Sequence, residues 1–314
     1  MDSRRHAKGR GLTSRTRFAP SPTGDLHVGG AWTAIASWVV ARSEGGSAML
    51  RIEDIDGARV VPGSEARIIE DLRWLGLDWD GPIVRQSERL ASYAEAIAKL
   101  SGLGLVYPCD CSRLEIARAA SAPHAGEDSV YPGTCRNREP NRPMKRAPAL
   151  RVRVPDAIVS YDDGVFGPIA QNLARDVGDF VLRRGDGTNA YQLAVVVDDL
   201  AMEMTDVIRG SDLVASTPRQ VWLARVLGGR PPRYTHLPLV VTSQGTRIEK
   251  RTPRATVSDL RSAGLSAKRI VGRLAQALGL AASPRAAAPI DIARALEGRT
   301  WSWRREPWPI PDLW

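Results

Sequence analysis

The sequence predicts an α/β fold built on a parallel sheet, and three observations carry that prediction. Arg15–Ala19 reads as a strand, Gly30–Arg42 as a helix and Ala48–Glu53 as a second strand. Such a strand–helix–strand unit closes with a right-handed crossover that lays its strands parallel. Ala190–Val197, reading AYQLAVVV, is a continuous run rich in β-branched residues, the pattern of a buried parallel strand. Leu237–Val241 reads as the last strand of the same sheet.

Taken in order, the chain opens with MDSRRHAKGRG, which is basic but lacks the apolar segment of a secretory signal. Residues 1–14 are therefore expected to be a disordered tail of a cytoplasmic protein. In the first helix Ala31, Ala34, Ile35, Trp38 and Val39 recur at helical spacing. Helices are expected at Ser64–Leu75 and Glu88–Leu103, each ending near a glycine. Pro108–Pro143 is rich in Pro, Ser, Gly and Asn and reads as an insertion rather than part of the sheet. Val207–Arg209 is expected as a short strand and Ser216–Leu227 as a helix. Beyond Thr252 two or three helices precede a Trp/Pro-rich tail holding Trp301, Trp303, Trp308 and Trp314, expected to pack back on the body. There is no internal repeat.

With 314 residues there is ample core for one large or two moderate domains. No apolar run is long enough to span a membrane, so none is expected to. The net charge of +9 is unevenly placed: residues 1–17 carry +5, residues 247–314 carry +7, and the stretch between carries −3. Basic ends flanking a near-neutral body suit a polyanion such as RNA, or simply an arginine-rich solvated surface. The three cysteines, Cys109, Cys111 and Cys135, form an odd cluster, which argues for a metal or reduced thiols over a disulfide framework.

The segment Arg17–Gly30, RFAPSPTGDLHVGG, joins the first strand to the first helix through a proline-broken turn, a histidine and a glycine pair. Glycines let the backbone approach a phosphate, and a helix N-terminus offers free N–H groups and the positive end of the dipole. His27 adds a hydrogen bond where charge builds on phosphate oxygens. The segment is neither a P-loop nor a GxGxxG motif. Taken alone, HxGG also suits a tight turn with a capping histidine.

The full RFAPSPTG-x-LHVGG string resembles the HIGH signature of class I aminoacyl-tRNA synthetases of the glutamyl and glutaminyl branch. The resemblance implies a Rossmann-like catalytic domain over residues 15–252, with an acceptor-type insertion at about 105–150. Residues 253–314 are then a short helical region with no anticodon-binding domain. It also implies a second, KMSKS-like loop after the last strand. The matching place is Arg247-Ile248-Glu249-Lys250-Arg251, where Lys250 takes the position of the lysine that steadies the triphosphate. Glu249 departs from the usual small residue there. His27 and Lys250 are thus the expected catalytic groups, with Gly29, Gly30 and Arg247 helping to hold ATP, which brings Mg²⁺.

The same resemblance implies a glutamate pocket. Arg17 and Arg209 supply guanidinium forks for the two carboxylates, Glu53 holds the α-ammonium and Tyr191 donates a hydroxyl. Phe18, Ala19, Pro20 and Ser21 line the floor. Each has an alternative: Arg209 can pair with Asp206 or Asp212, and Glu53 with Arg51. A cation facing the substrate side chain favours glutamate over glutamine. Three cysteines and one further group suit a tetrahedral structural zinc ion. Chemistry alone favours His124 as the fourth ligand, whereas the family pattern points to Tyr131.

Only about 60 residues follow the KMSKS-like loop. That length, with the Cys-x-Cys…Tyr-x3-Cys arrangement, is similar to the glutamyl-queuosine tRNA(Asp) synthetases. These activate glutamate with ATP and esterify queuosine at the wobble position of tRNA(Asp). The alternatives are a truncated glutamyl-tRNA synthetase charging a 3′ end, or an inactive RNA-binding relative. The chain is expected to act as a monomer, with queuosine-bearing tRNA(Asp), L-glutamate and ATP as its partners.

Overall fold

The computed structural model describes residues 13–119, 130–139, 141–241, 245 and 256–309. The first half of the sheet comprises β1 (Arg15–Phe18), β2 (Ser47–Ile52) and β3 (Val84–Arg85), ordered β1-β2-β3 and all parallel. The helix α1 (Val28–Ser43) makes the crossover between β1 and β2. It is buried on more than one face, with Ala36, Val40 and Ala41 covered as well as Ala31, Ile35 and Val39. The helices α2 (Ser64–Trp74) and α3 (Leu90–Gly102) follow β2 and β3, close to their expected limits.

The segment expected as an insertion holds β4 (Val106–Cys109) and α4 (Arg113–Ala119). The strand β5 (Ala149–Val152) pairs antiparallel with β4 and with β8 (Val181–Arg183). Between β5 and β8 lies an antiparallel hairpin, β6 (Ile158–Asp163) and β7 (Gly167–Asn172). After β8 the chain forms α5 (Tyr191–Ala201), β9 (Asp206–Gly210), α6 (Thr217–Val226) and β10 (Arg233–Leu237). These strands build the second half of the sheet, in the order β7-β6-β10-β9, with β10 parallel to both neighbours.

The two halves meet between β1 and β9. Thr205 donates its main-chain N–H to the Arg15 carbonyl at 3.0 Å, and the Arg15 N–H reaches Thr205 Oγ1 at 2.7 Å. Strand order reverses at this seam, and such a switch point opens a crevice at the carboxyl ends of the strands.

Two expectations are corrected. Ala190–Val197 is not a strand: Tyr191 opens the helix α5, whose Leu193, Ala194, Val195 and Val196 are all buried. A helix covered over most of its circumference loses the polar stripe that marks its period, so the apolar run imitates a buried strand. Leu237–Val241 is not one strand either. The sheet strand β10 ends at Leu237, before Pro238, and β11 (Val240–Val241) pairs instead with β12 (Trp308–Pro309).

Among the described residues beyond 256 there are three helices, α7 (Val257–Ser262), α8 (Ala267–Leu278) and α9 (Pro289–Leu296). Val257, Ile270, Leu274 and Ile292 share one apolar core with α1 and with Trp301 and Trp303. Trp308 stacks on Trp32 of α1 at 5.8 Å, so the tail does pack back on the body. Trp314 lies outside the described residues. A second core joins α3, α5 and α6 to β6 and β9.

Candidate active site

A cavity of about 470 Å³ opens at the seam between β1 and β9. The end of β1 and the turn after it contribute Arg17, Phe18, Ala19, Pro20 and Ser21. The start of α1 contributes His27, Gly29 and Gly30, while Glu53, Tyr191 and Arg209 close the opposite side. The fold thus brings these eleven expected site residues to one place. Arg247, Glu249, Lys250 and Arg251 lie outside the described residues, as does His124.

His27 is the N-cap of α1, and its Nδ1 accepts the Gly30 N–H at 3.1 Å. The capping alternative and the cavity position therefore coexist. An accepting Nδ1 leaves the proton of neutral imidazole on Nε2, so the exposed edge of the ring is a donor. The glycines keep the space beside it open: a Cβ at Gly30 would stand 2.8 Å from Leu26 Cδ1, and one at Gly29 only 3.0 Å from the His27 ring, so either would push on its neighbour.

Arg17 and Arg209 are both buried, yet they are held by opposite means. Arg17 donates Nε–H to Asp199 Oδ1 at 3.1 Å. Asp199 also accepts from the fully buried Arg51 at 2.7 Å, and Arg51 in turn donates to Glu53 Oε1 at 3.0 Å. Burial opposes ionisation of Asp199, but Arg17 and Arg51 carry its pKa below the usual carboxylate value. Burial pushes the Glu53 carboxyl up, and Arg51 and Arg17 offset only part of that. The alternative pairing of Glu53 with Arg51 is therefore real, and it orients Glu53 without removing it from the cavity.

Arg209 pairs with no carboxylate among the described residues. It donates to His236 Nε2 at 3.0 Å, to Thr217 Oγ1 at 2.7 Å and to the Tyr191 hydroxyl at 3.4 Å. Its guanidinium lies 5.1 Å over the Tyr234 ring. Asp206 instead takes two bonds from Arg233, at 2.7 and 2.9 Å. A buried cation without a counter-ion is costly, so the arrangement suits a ligand that brings an anion.

A second cavity, of about 660 Å³, shares Ser21, Thr23, Glu53 and Tyr191 with the first. It runs to the insertion, reaching Cys111, Arg113 and Arg151, with Arg59 and Arg184 also on its wall. Asp56 pairs with Arg184 at 3.0 Å, and Asp54 accepts from Ser87 N and Oγ, so both acids anchor this region.

Cys109, Cys111 and Cys135 place their sulfurs within 4.8 Å of one another. The Tyr131 hydroxyl joins them, 3.3 Å from Cys109 Sγ and 3.8 Å from Cys111 Sγ. Ligands about 2.3 Å from a tetrahedral zinc ion stand roughly 3.8 Å apart, so this S₃O set fits a metal ion. The Arg151 guanidinium sits 3.8 Å from the Tyr131 ring centre and backs it from the cavity side.

Sequence reasoning named Arg51 only as the alternative partner of Glu53 and gave Asp199 no place in the site, and it missed Thr217, His236 and Asp163. The Asp199 signal was an acidic pair closing an apolar run; His236 carries no local signal at all.

A family model described as the catalytic domain of class I tRNA synthetases (E and Q) matches residues 13–277. The chain is 46% identical over 301 residues to the glutamyl-Q tRNA(Asp) synthetase of Nitratidesulfovibrio vulgaris, covering 91% of this chain and 93% of that one. It is 48% identical over 237 residues to the protein of that name from Neisseria meningitidis, covering 75% and 80%. Among solved structures, the glutamate tRNA ligase of Elizabethkingia meningosepticum in complex with its amino acid superposes with a TM-score of 0.78 at 27% identity. That match covers 94% of this chain and 67% of that one.

Proposed function

The chain belongs to the class I tRNA synthetases of the E and Q type, among the glutamyl-Q tRNA(Asp) synthetases, and on that premise we propose how its residues act. It activates L-glutamate with ATP and transfers the glutamyl group to queuosine at the wobble position of tRNA(Asp). The observation that carries the glutamate assignment is Arg209, a buried cation facing the cavity with only neutral partners among the described residues.

In the first step the α-carboxylate oxygen of glutamate attacks the α-phosphorus of ATP in line. The bond to the β-phosphate oxygen breaks, giving glutamyl-adenylate and pyrophosphate. Arg17 and Arg209 hold the carboxylates, Glu53 takes the ammonium and Tyr191 completes the pocket. His27 Nε2–H, fixed by the cap, donates to the phosphate oxygens as charge builds there, and the α1 N-terminus adds its dipole. Lys250 and Arg247 steady the triphosphate by their charge, and Mg²⁺ accompanies ATP as part of the substrate. In the second step a queuosine hydroxyl attacks the activated carbonyl, its proton is lost and AMP departs. The second cavity receives the nucleoside, with Arg59 and Arg184 beside the RNA backbone.

Cys109, Cys111, Cys135 and Tyr131 hold a structural zinc ion. The ion braces the loop forming one wall of the second cavity and takes no part in either step. No helix among the described residues is long and apolar enough to cross a membrane, in keeping with a cytoplasmic site of action.

The test is transfer of labelled glutamate, with ATP, to queuosine-bearing tRNA(Asp), unmodified tRNA(Asp) and tRNA(Glu). Label on the first alone is expected. Label on tRNA(Glu) would overturn the assignment in favour of 3′-end charging.

A further inference from the structure

The parallel register of β9 and β10 sets His236 directly beside Arg209. The ring is fully buried. His236 Nδ1 lies 2.6 Å from Asp163 Oδ2, and Nε2 lies 3.0 Å from Arg209 Nε. A guanidinium Nε–H only donates and a carboxylate only accepts. The imidazole is therefore neutral, with its proton on Nδ1 and its lone pair turned to Arg209. Asp163 is fixed in turn by the N–H groups of Val165, Phe166 and His236, so it anchors the ring and stays one imidazole away from Arg209. Thr217 Oγ1 takes the guanidinium's NH2 at 2.7 Å, supplying a second neutral acceptor.

We propose that His236 is a positioning residue for glutamate selection. As a neutral acceptor locked by Asp163, it aims Arg209 into the cavity without cancelling its charge. Arg17 makes the contrast: its anchor is the carboxylate of Asp199, which compensates the charge it orients. If the anchor of Arg209 were also acidic, the pocket would meet a substrate carboxylate with a guanidinium already paired. The inference rests on the reading that Arg209 binds a substrate carboxylate.

Two substitutions separate the halves of this device. His236→Asn retains a donor near Nδ1 for Asp163 but withdraws the acceptor from Arg209. His236→Gln places its amide oxygen near the Nε2 position and restores that acceptor. Glutamate transfer to queuosine-bearing tRNA(Asp) is measured against glutamate concentration, with glutamine as competitor and the ATP KM as reference. H236N is expected to raise the glutamate KM about tenfold to a hundredfold, with the ATP KM unchanged and glutamate-over-glutamine preference reduced. H236Q is expected to return within about threefold of the parent. Should H236N fail to fold, Thr217→Val withdraws the other neutral acceptor and is expected to raise the glutamate KM in the same sense. Parental glutamate KM in a folded H236N, or in T217V where H236N does not fold, overturns the inference. Arg209→Ala distinguishes the two readings. If R209A binds glutamate normally, the carboxylate reading itself fails; if R209A loses glutamate while H236N keeps it, only the role of His236 falls.

Discussion

Asp199 accepts the Nε–H of Arg17 at 3.1 Å, and both side chains are at least 94% buried. The contact joins the first strand to α5 across the seam where the cavity opens. Because Asp199 also holds Arg51, replacing it by Asn leaves two buried guanidinium groups short of a counter-charge. Asp199→Asn is expected to cost on the order of 3–5 kcal/mol of stability. Denaturant unfolding of the variant checks this. The Asp199 pKa is lowered on folding, so its contribution is present above the unfolded value of 3.8 and is lost as pH falls through the lower folded value.

Arg209→Ala is expected to lower kcat/KM for glutamate by about 10²-fold or more, since charge-assisted hydrogen bonds to a carboxylate are lost. Circular dichroism should stay that of the parent. Full activity would remove Arg209 from the pocket.

Much of the site was legible because its residues lie in short local motifs. Arg17 through Ser21 and His27 through Gly30 sit on one strand–turn–helix, and a turn between two consecutive elements must be written locally. The error at Ala190–Val197 has a different cause. Helical period is visible only where solvent faces one side of the helix, and α5 is packed between α3 and α6. His236 was invisible for a third reason. Its partnership with Arg209 arises from strand register, 27 residues apart, and no local pattern encodes which strand becomes a neighbour.

Tyr131→Phe removes the hydroxyl oxygen that completes the S₃O set. The purified variant is expected to retain less zinc than the parent, measured by atomic absorption after dialysis against a chelator. Unchanged zinc, together with loss in His124→Ala, would transfer the fourth position to His124.

Arg59 is exposed on the wall of the second cavity. Arg59→Ala is expected to raise the KM for tRNA about threefold to tenfold and reduce the salt dependence of transfer. Glutamyl-adenylate formation should be unaffected, which separates an RNA contact from a fault in the amino-acid pocket.

Asp71 is 5% exposed, and its Oδ2 has no hydrogen-bond partner. Burial, with Asp25 and Glu70 nearby, pushes its pKa up to about 6 from 3.8. The folded state therefore holds this proton more tightly, and stability falls as pH rises between those values. Asp71→Asn is expected to raise stability at pH 7 by about 1–3 kcal/mol and to flatten the profile from pH 4 to 6. Thermal unfolding across that range measures both.

The pairing of Val240–Val241 with Trp308–Pro309 has a consequence in time. Val240 lines the cavity, but its partner strand is translated almost seventy residues later. Contacts so distant along the chain form late, because the intervening loop must be closed first. On the ribosome this wall of the cavity stays unbraced until Pro309 has emerged. A nascent chain stopped short of that point would carry both arginine forks and still lack the strand that braces Val240, so this wall of the cavity is completed only after the two arginines are in place.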